Sequence, residues 1–520
     1  MKKSHTYSLL KARENIITRL FFEGLAVGLI AGLIAVIYRL MLSKSEEFFF
    51  TAIEFVKGNA LYILLWFVFL IVIGFIISRF LKYEPYISGS GIPQVEAEVL
   101  GYIDECWYKV LVSKMIAGTL CVLGGLSLGR EGPSIQLGAM VGKGVSKFLK
   151  RLKTEERFLM TCGGAAGLAA AFNAPLAGII FALEEIHKNF STTSLVSVMC
   201  ASLTGDFVSR QIFGLSPTLH FTIQETVALN QYMWLIILGI VTGILAVFYN
   251  RLTMVVLKVY DSIKCMPSYL KVLIPLMVSG VAAFFIPEIM GGGHVLINAL
   301  NQNDYMISML IFLLITKFLF SLLCFGSGAP GGIFFPMLVL GSLIGAIFGK
   351  VALMFGVPEI YYHNFMIVAM AGFFAGIVKA PITGIVLIAE MCGTLQVLLP
   401  IAIVAFVSYM TSHMLSCEPI YESLLQRLVK DKKTFDYASQ KELLTFTVDL
   451  GSYAVNQTVH SVELPPRCLI VSLVRGQTEM IPHGDTQFYV GDEVVVIVDK
   501  YHIDESVEML NHLFTYKKMK

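Results

Sequence analysis

Gly129 to Ser134 reads Gly-Arg-Glu-Gly-Pro-Ser and stands inside a long apolar region, at the start of an apolar helical pattern. An ionisable side chain is costly in such surroundings, so Glu131 is a candidate for chemistry. Pro133 suits the first turn of a helix and the flanking glycines let other backbone come close. Together they leave unpaired N–H groups at the positive end of a helix dipole, which is an anion site. Glu131 brings a tethered carboxylate to that end. Charged, it competes with the anion; protonated, it leaves, which is the chemistry of a gate. Two plainer readings use the same residues: an ion pair of Glu131 with Arg130, or glycines that serve only close helix packing.

A second copy of this architecture lies further along. Gly129-Arg-Glu-Gly-Pro133 aligns with Gly332-Ile-Phe-Phe-Pro336, and the register holds through Leu137-Gly138 with Leu340-Gly341, Gly142 with Gly345 and Lys147 with Lys350. Ala174-Pro-Leu-Ala-Gly178 likewise aligns with Ala380-Pro-Ile-Thr-Gly384, which puts Glu184 on Glu390. Repeated halves with matching Gly/Pro interruptions point to a binding site at their interface, with helix N-termini aimed at an anion. The halves differ in two acids: Phe334 stands opposite Glu131, and Met391 opposite Glu185. One helix end carries an acid and the other offers bare N–H groups.

The elements that position these residues belong to a membrane protein. The chain has 520 residues, 56% of them hydrophobic and 15% charged, with a mean hydropathy of +0.73. That is too apolar for a soluble chain. Phe21 to Leu42 and Leu61 to Leu81 are long enough to span a bilayer. From there to Ser416 the apolar runs are broken at Gly89 to Pro93, Gly129 to Pro133, Ala174-Pro175, Gly291 to Gly293, Gly328 to Pro336 and Ala380-Pro381. Broken helices at membrane depth line a cavity or are buried in protein. The expected fold is therefore an all-α polytopic membrane domain over 1–425, a linker over 426–439 and a small α+β domain over 440–520. In the tail, Leu444 to Leu450, Cys468 to Arg475 and Glu493 to Asp499 alternate like strands, and Asp504 to Phe514 is amphipathic.

Composition also excludes several classes. A net charge of +2, with basic residues at the ends and in short loops, gives no stripe for nucleic acid. The nine cysteines are scattered without Cys-x-x-Cys, and no His-Glu-x-x-His occurs, so neither a disulfide framework nor a metal site is expected. No nucleophile motif or phosphate-binding Gly-Lys-Thr/Ser loop is present, so an enzyme is not expected. No cofactor is implied. Lys2, Lys3, Lys11, Arg13 and Arg19 precede the first apolar run without a cleavage site, and Arg427, Lys430, Lys432 and Lys433 follow the last. By the positive-inside rule both termini are expected in the cytoplasm, with the chain in the cytoplasmic membrane.

Four motifs in order, Gly89-Ser-Gly-Ile-Pro93, Gly129-Arg-Glu-Gly-Pro133, Gly332-Ile-Phe-Phe-Pro336 and Pro419-Ile-Tyr-Glu-Ser423, resemble those of the CLC chloride channels and chloride/proton antiporters over about residues 20 to 425. The resemblance implies a homodimer with one pore per subunit and an inverted repeat of broken helices. It implies that the hydroxyls of Ser90 and Tyr421 hold a central chloride with the N–H groups of Ile333 and Phe334. Glu131 would be the external gate, supported by Gly129, Arg130, Gly132 and Pro133. Glu185 would be the internal proton-transfer acid of the antiporter branch, and Lys114 a buried lysine that makes the pathway electropositive. The function so implied is chloride/proton exchange. A passive chloride channel, a fluoride/proton exchanger and a membrane-tethered sensor are the alternatives. Channel members generally lack the internal acid, while the fluoride branch departs at the positions of Ser90, Tyr421 and Pro133.

The tail resembles the TrkA C-terminal type of regulatory domain on potassium transport systems, through Pro465 to Arg475, Met480 to Thr486 and Val490 to Ile497. Such domains pair, and cyclic di-AMP is the candidate ligand across the pair. Arg475 would meet its phosphate, and Ile481, Pro482 and His483 its adenine. The plainer alternatives are that Arg475 caps a hairpin turn and Ile481 belongs to the core.

Overall fold

The computed structural model describes residues 2–188, 192–219, 221, 225–430, 441–476, 478–499 and 503–515. The chain forms two compact units, Met1–Val429 and Lys430–Lys520. The expected linker residues 431–439 lie outside the described residues.

The first unit is helical and its second eight helices repeat the first eight. The first set is α1 (Lys2–Val56), α2 (Ala60–Tyr83), α3 (Ile92–Val99), α4 (Trp107–Leu123), α5 (Glu131–Phe148), α6 (Lys153–Phe172), α7 (Pro175–Phe181) and α8 (Thr192–Phe213). The second is α9 (Tyr232–Ser262), α10 (Leu273–Phe285), α11 (His294–Gln302), α12 (Ile307–Gly326), α13 (Phe334–Met354), α14 (Tyr362–Val378), α15 (Pro381–Cys392) and α16 (Leu398–Met414). A last helix, α17 (Ile420–Lys430), carries Tyr421. The repeat extends to the caps: α3 and α11 follow Gly91 (φ 97°) and Gly293 (φ 105°), which adopt the left-handed backbone that favours glycine. α7 and α15 both begin on proline.

Seven of the described helices are long and apolar enough to cross a membrane. On α2, Leu61, Leu64, Leu65, Val68, Val72 and Phe75 are exposed, an apolar face that suits lipid rather than water. By contrast α6 is buried continuously from Leu159 to Phe172, and α14 from Asn364 to Val378. Apolar residues on every side mark an interior helix. α1 also runs on past Leu42, where the apolar run ends, as far as Val56.

Glycines let α5 press on α6 and α13 on α14. A Cβ on Gly138 or Gly142 would lie 2.0 Å from the carbonyl oxygen of Gly163 or Leu159, and one on Gly345 would lie 2.3 Å from that of Phe365. These are backbone atoms of a buried partner helix and cannot rotate away.

The second unit is a four-stranded antiparallel sheet in the order β1-β4-β2-β3, made of β1 (Lys441–Thr447), β2 (Leu469–Arg475), β3 (Thr478–Met480) and β4 (Glu493–Asp499), with α18 (Ile503–Phe514). Its core joins Phe446, Leu473, Phe488, Val494, Val496 and Phe514. β1 starts three residues before the expected strand and ends before Leu450, which is 79% exposed; alternation alone does not mark where pairing stops. The short β3 was not expected and pairs with β2.

Replacing Gly142 by Ala forces a methyl against the Leu159 carbonyl, and overpacking of this kind costs about 1–3 kcal/mol or more. The expected result is a clear drop in the melting temperature of the detergent-purified protein, or none that is monodisperse. Gly164→Ala is the control, since its Cβ would meet only side-chain atoms of Ile186 and Ile135, at 3.3 and 3.5 Å, before any backbone.

Candidate functional site

The helices α5 and α13 start side by side. Gly129 N donates to Gly332 O at 2.6 Å and Gly332 N to Gly129 O at 2.8 Å, an antiparallel bridge between equivalent residues of the two halves. Equivalent residues paired in this sense are related by a local two-fold axis, as expected of inverted halves. Each helix then has a proline at its third position, and the first helical bonds are Ser134 N to Arg130 O and Met337 N to Ile333 O, both 3.0 Å. The N–H groups before them have no helical acceptor. Those of Arg130, Glu131 and Gly132 stand at one end, and those of Ile333, Phe334 and Phe335 at the other.

Glu131 sits in the space between these ends. It is 1% exposed and, among the described residues, neither carboxylate oxygen has a hydrogen bond of normal geometry, although the N–H groups of Arg130, Phe335 and Glu131 itself face it. Arg130 Nε lies 3.8 Å from Glu131 Oε1, an ion-pair distance but too far for a hydrogen bond, so the plain ion-pair reading is met only as a loose contact that leaves the carboxylate oxygens without a hydrogen bond. The acid also lines a cavity of about 230 Å³ with Arg39, Glu46, Arg130, His294 and Phe335. That volume holds several waters at about 30 Å³ each.

Ser90 lies between Gly89 and Gly91, both with positive φ. Its loop is tied down by Lys114, whose buried Nζ donates to Ile87 O at 2.8 Å and Gly89 O at 2.7 Å. It is tied to the second half by Gly331 N donating to Gly89 O at 3.0 Å. The Ser90 hydroxyl touches α5 at Gly132, where a Cβ would lie 2.3 Å from Ser90 Oγ. The hydroxyls of Ser90 and Tyr421 are buried and, among the described residues, neither has a hydrogen-bond partner. A buried unpaired polar group costs about 1–3 kcal/mol, so both are suited to a ligand. Phe334 is held by Phe172, Phe181 and Phe374, which fixes the position of its N–H.

Glu185 is 7% exposed, not a solvated helix end. It lies on a π turn, Ala182–Ile186, within electrostatic reach of Glu96, Lys188 and Glu422. Lys188 pairs with both Glu96 and Glu422, the latter at 2.9 Å. The Tyr421 side chain is within electrostatic reach of both Glu131 and Glu185. The structure thus brings Glu131, Tyr421 and Glu185 into one neighbourhood, and adds Glu96, Lys188 and Glu422, which the sequence reading missed. Lys317 was missed as well, although a signal for it existed. The offset that aligns Gly129 with Gly332 (332 − 129 = 203) also places Lys114 on Lys317 (114 + 203 = 317), and Lys317 Nζ donates to Ile289 O at 2.8 Å and Gly291 O at 3.0 Å.

In the second unit Arg475 is already engaged. Its Nε and Nη2 donate to Asp492 Oδ1 and Oδ2 at 2.8 and 2.7 Å, and Nη2 also donates to Gln487 O at 2.7 Å. The guanidinium lies over Tyr489, and its bonds to Asp492 hold it above its ordinary pKa. Ile481 is 78% exposed rather than core. Ile481, Pro482 and His483 follow β3 instead of lying on it, with His483 N donating to Thr486 Oγ1 at 2.8 Å.

Lys114→Met leaves the buried Ile87 carbonyl unpaired and Gly89 O with Gly331 N as its remaining donor, at a cost of about 1–3 kcal/mol. Thermal unfolding should show a comparable loss for Lys114→Met and for Lys317→Met. Calorimetric anion binding should weaken in the first variant only, because only its loop carries Ser90.

The chain is similar to known proteins in sequence and in fold. The family model for voltage gated chloride channels matches residues 69–413, and that for the TrkA-C domain matches residues 443–511. The H(+)/Cl(-) exchange transporter ClcA of Vibrio cholerae serotype O1 (strain M66-2) is 34% identical over 426 residues, 79% of this chain and 90% of the relative. That of Salmonella schwarzengrund is 32% identical over 431 residues, 80% of this chain and 90% of the relative. Among solved structures, a slow cyanobacterial Cl-/H+ antiporter superposes with a TM-score of 0.76 at 29% identity, covering 80% of this chain and 99% of the other. A CLC-type fluoride/proton antiporter, at a TM-score of 0.64 and 22% identity over 78% of this chain and 97% of the other, shares the fold.

Proposed function

This chain belongs to the voltage gated chloride channel family, and from that premise we propose that it is a chloride/proton antiporter, working as a homodimer in the cytoplasmic membrane with both termini in the cytoplasm. The observation that carries the reading is the placement of Tyr421 within reach of two buried acids, Glu131 and Glu185. A passive channel needs a pore and a gate, but has no use for a second acid held out of water. The relatives named as H(+)/Cl(-) exchange transporters support the same reading.

In this account the N–H groups of Ile333 and Phe334 and the hydroxyls of Ser90 and Tyr421 hold chloride with partial charges. Binding is firm enough to strip water and weak enough to release the ion. Glu131, when charged, takes the anion's place at the start of α5. When a proton arrives from Glu185 on the other side of Tyr421, Glu131 becomes neutral, gives up that place and admits chloride. One acid therefore gates the anion and carries the proton, which couples the two fluxes. Arg130 and Lys114 keep the path electropositive without closing on the ion, since Lys114 is bound to backbone carbonyls.

We further propose that the C-terminal unit regulates transport by binding a nucleotide, with cyclic di-AMP as the candidate. Its match to the TrkA-C domain and the exposed Ile481 and His483 support the reading. Arg475 reaches a phosphate only by exchanging the Asp492 fork for it, so the ligand's charge would have to break an existing bidentate pair.

Reconstituted liposomes under crossed chloride and proton gradients test the exchange reading. Glu131→Ala and Glu185→Gln are each expected to keep chloride flux and lose coupled proton movement. Wild-type protein whose current follows the chloride gradient alone would assign it to the channels. For the tail, calorimetry on the full-length dimer should show saturable binding of cyclic di-AMP at micromolar concentration, together with a changed transport rate. No binding in folded protein would remove this ligand and leave the exchange reading intact.

A further inference from the structure

Exchange as described gives no task to the other pair of equivalent acids, Glu184 and Glu390. The same shift relates them as relates their helix starts (380 − 174 = 206 and 390 − 184 = 206). α7 and α15 each begin on proline, and the N–H groups of the next two residues have no acceptor within the helix. Each acid supplies the acceptor for the helix of the other half. Leu176 N and Ala177 N donate to Glu390 Oε1 and Oε2 at 3.1 and 2.8 Å. Thr383 N and Thr383 Oγ1 both donate to Glu184 Oε2, at 2.9 and 2.7 Å. These are charge-assisted bonds at the positive ends of the helices, crossed over the repeat interface.

The two acids differ in the backbone that carries them. Glu390 lies in the regular helix α15. Glu184 lies in the π turn Ala182–Ile186, closed by His187 N donating to Ala182 O at 2.8 Å. A π turn holds one extra residue and so rotates the residues after it by about 100° relative to an α-helix. Adjacent helical residues point about 100° apart on any such turn, so Glu184 and Glu185 face different ways in either case; what the π turn sets is where each of them points relative to the rest of α7. Glu184 reaches α15, while Glu185 turns to the buried space beside Glu96, Lys188 and Glu422. In the second half there is no such turn, and the residue after Glu390 is the fully buried, apolar Met391.

We propose that Glu184 is a positioning residue for proton transfer: its cross-repeat anchor on Thr383 holds the π turn in register and thereby aims Glu185. This rests on the reading of Glu185 as the internal proton carrier. Glu184 serves in this role as an acceptor, its Oε2 held by two donors, and Glu390 secures the opposite face of the same interface by holding α7 to α15.

Proton and chloride fluxes measured together in liposomes holding the full-length protein test this. Glu184→Ala should lower the proton-to-chloride ratio severalfold with chloride flux retained. Thr383→Val, which removes only the hydroxyl donor, should lower it less. Glu184→Gln should restore it, since the amide oxygen can replace Oε2 as the acceptor. A ratio in Glu184→Gln as low as in Glu184→Ala would overturn the proposal, because titration and not anchoring would then be needed. A wild-type ratio in both Glu184→Ala and Thr383→Val would overturn it too. Should Glu184→Ala give no chloride flux, the ratio in Thr383→Val decides on the same terms. Glu185→Gln run beside them separates the premise: coupling retained there removes Glu185 as the carrier. Coupling lost there but intact in Glu184→Ala removes only the anchoring role.

Discussion

Two backbone hydrogen bonds between Gly129 and Gly332 fix the starts of α5 and α13 against each other, and the site depends on that meeting. Each helix start carries roughly half a positive charge. With an effective dielectric of about 20, two such half-charges about 8 Å apart repel by roughly 0.5 kcal/mol. A unit anion about 4 Å from each gains roughly 2 kcal/mol per helix. Attraction to an anion outweighs the helix–helix repulsion, so a negative charge beside the pair of helix starts stabilises it. Glu131 supplies that charge from within the chain, and a small anion can supply it from without. Gly129 is needed in this place, because a Cβ there would lie 2.5 Å from Glu131 Oε2 and 3.0 Å from Phe335 N.

Around this bridge the two halves are alike in what holds them and unlike in what they offer. Lys114 and Lys317 clamp equivalent loops through equivalent carbonyls. Gly89 N of the first half donates to Gly328 O of the second, and Gly291 N of the second to Gly125 O of the first. The symmetry breaks at the side chains that bear chemistry: Glu131 against Phe334, Glu185 against Met391, and the π turn against a regular helix. A symmetric frame can thus be rigid throughout, while a single face of it titrates. Crossed caps from Glu184 and Glu390 belong to the frame, which is why they persist in both halves.

The C-terminal unit shows how the same residue type can be read two ways. Arg475 next to Gly476 suits a phosphate ligand or a turn. In the folded unit it holds Asp492, itself 1% exposed, and the Gln487 carbonyl. The ion pair ties β2 to the turn before β4, and a buried aspartate requires such a partner.

The sequence by itself determined the broken helices, the internal repeat, the acid at the start of α5 and three of the four strands of the tail. Each of these is written in local signals: apolar periodicity, proline at a helix start, glycine where φ is positive. The 203-residue offset also contained the Lys317 clamp. Tertiary structure alone decided that Lys188 joins Glu96 and Glu422, which stand 92 residues before it and 234 after it (188 − 96 = 92 and 422 − 188 = 234). It alone decided that Glu184 and Glu390 cap each other's half, that Glu131 stands beside Arg130 without a hydrogen bond from it, and that Arg475 is taken by Asp492. The physical reason is that helix and strand formation depend on neighbours within a turn or two. The partner of a buried charge depends instead on which distant backbone groups the packing leaves without a bond, and no local pattern in the chain records that.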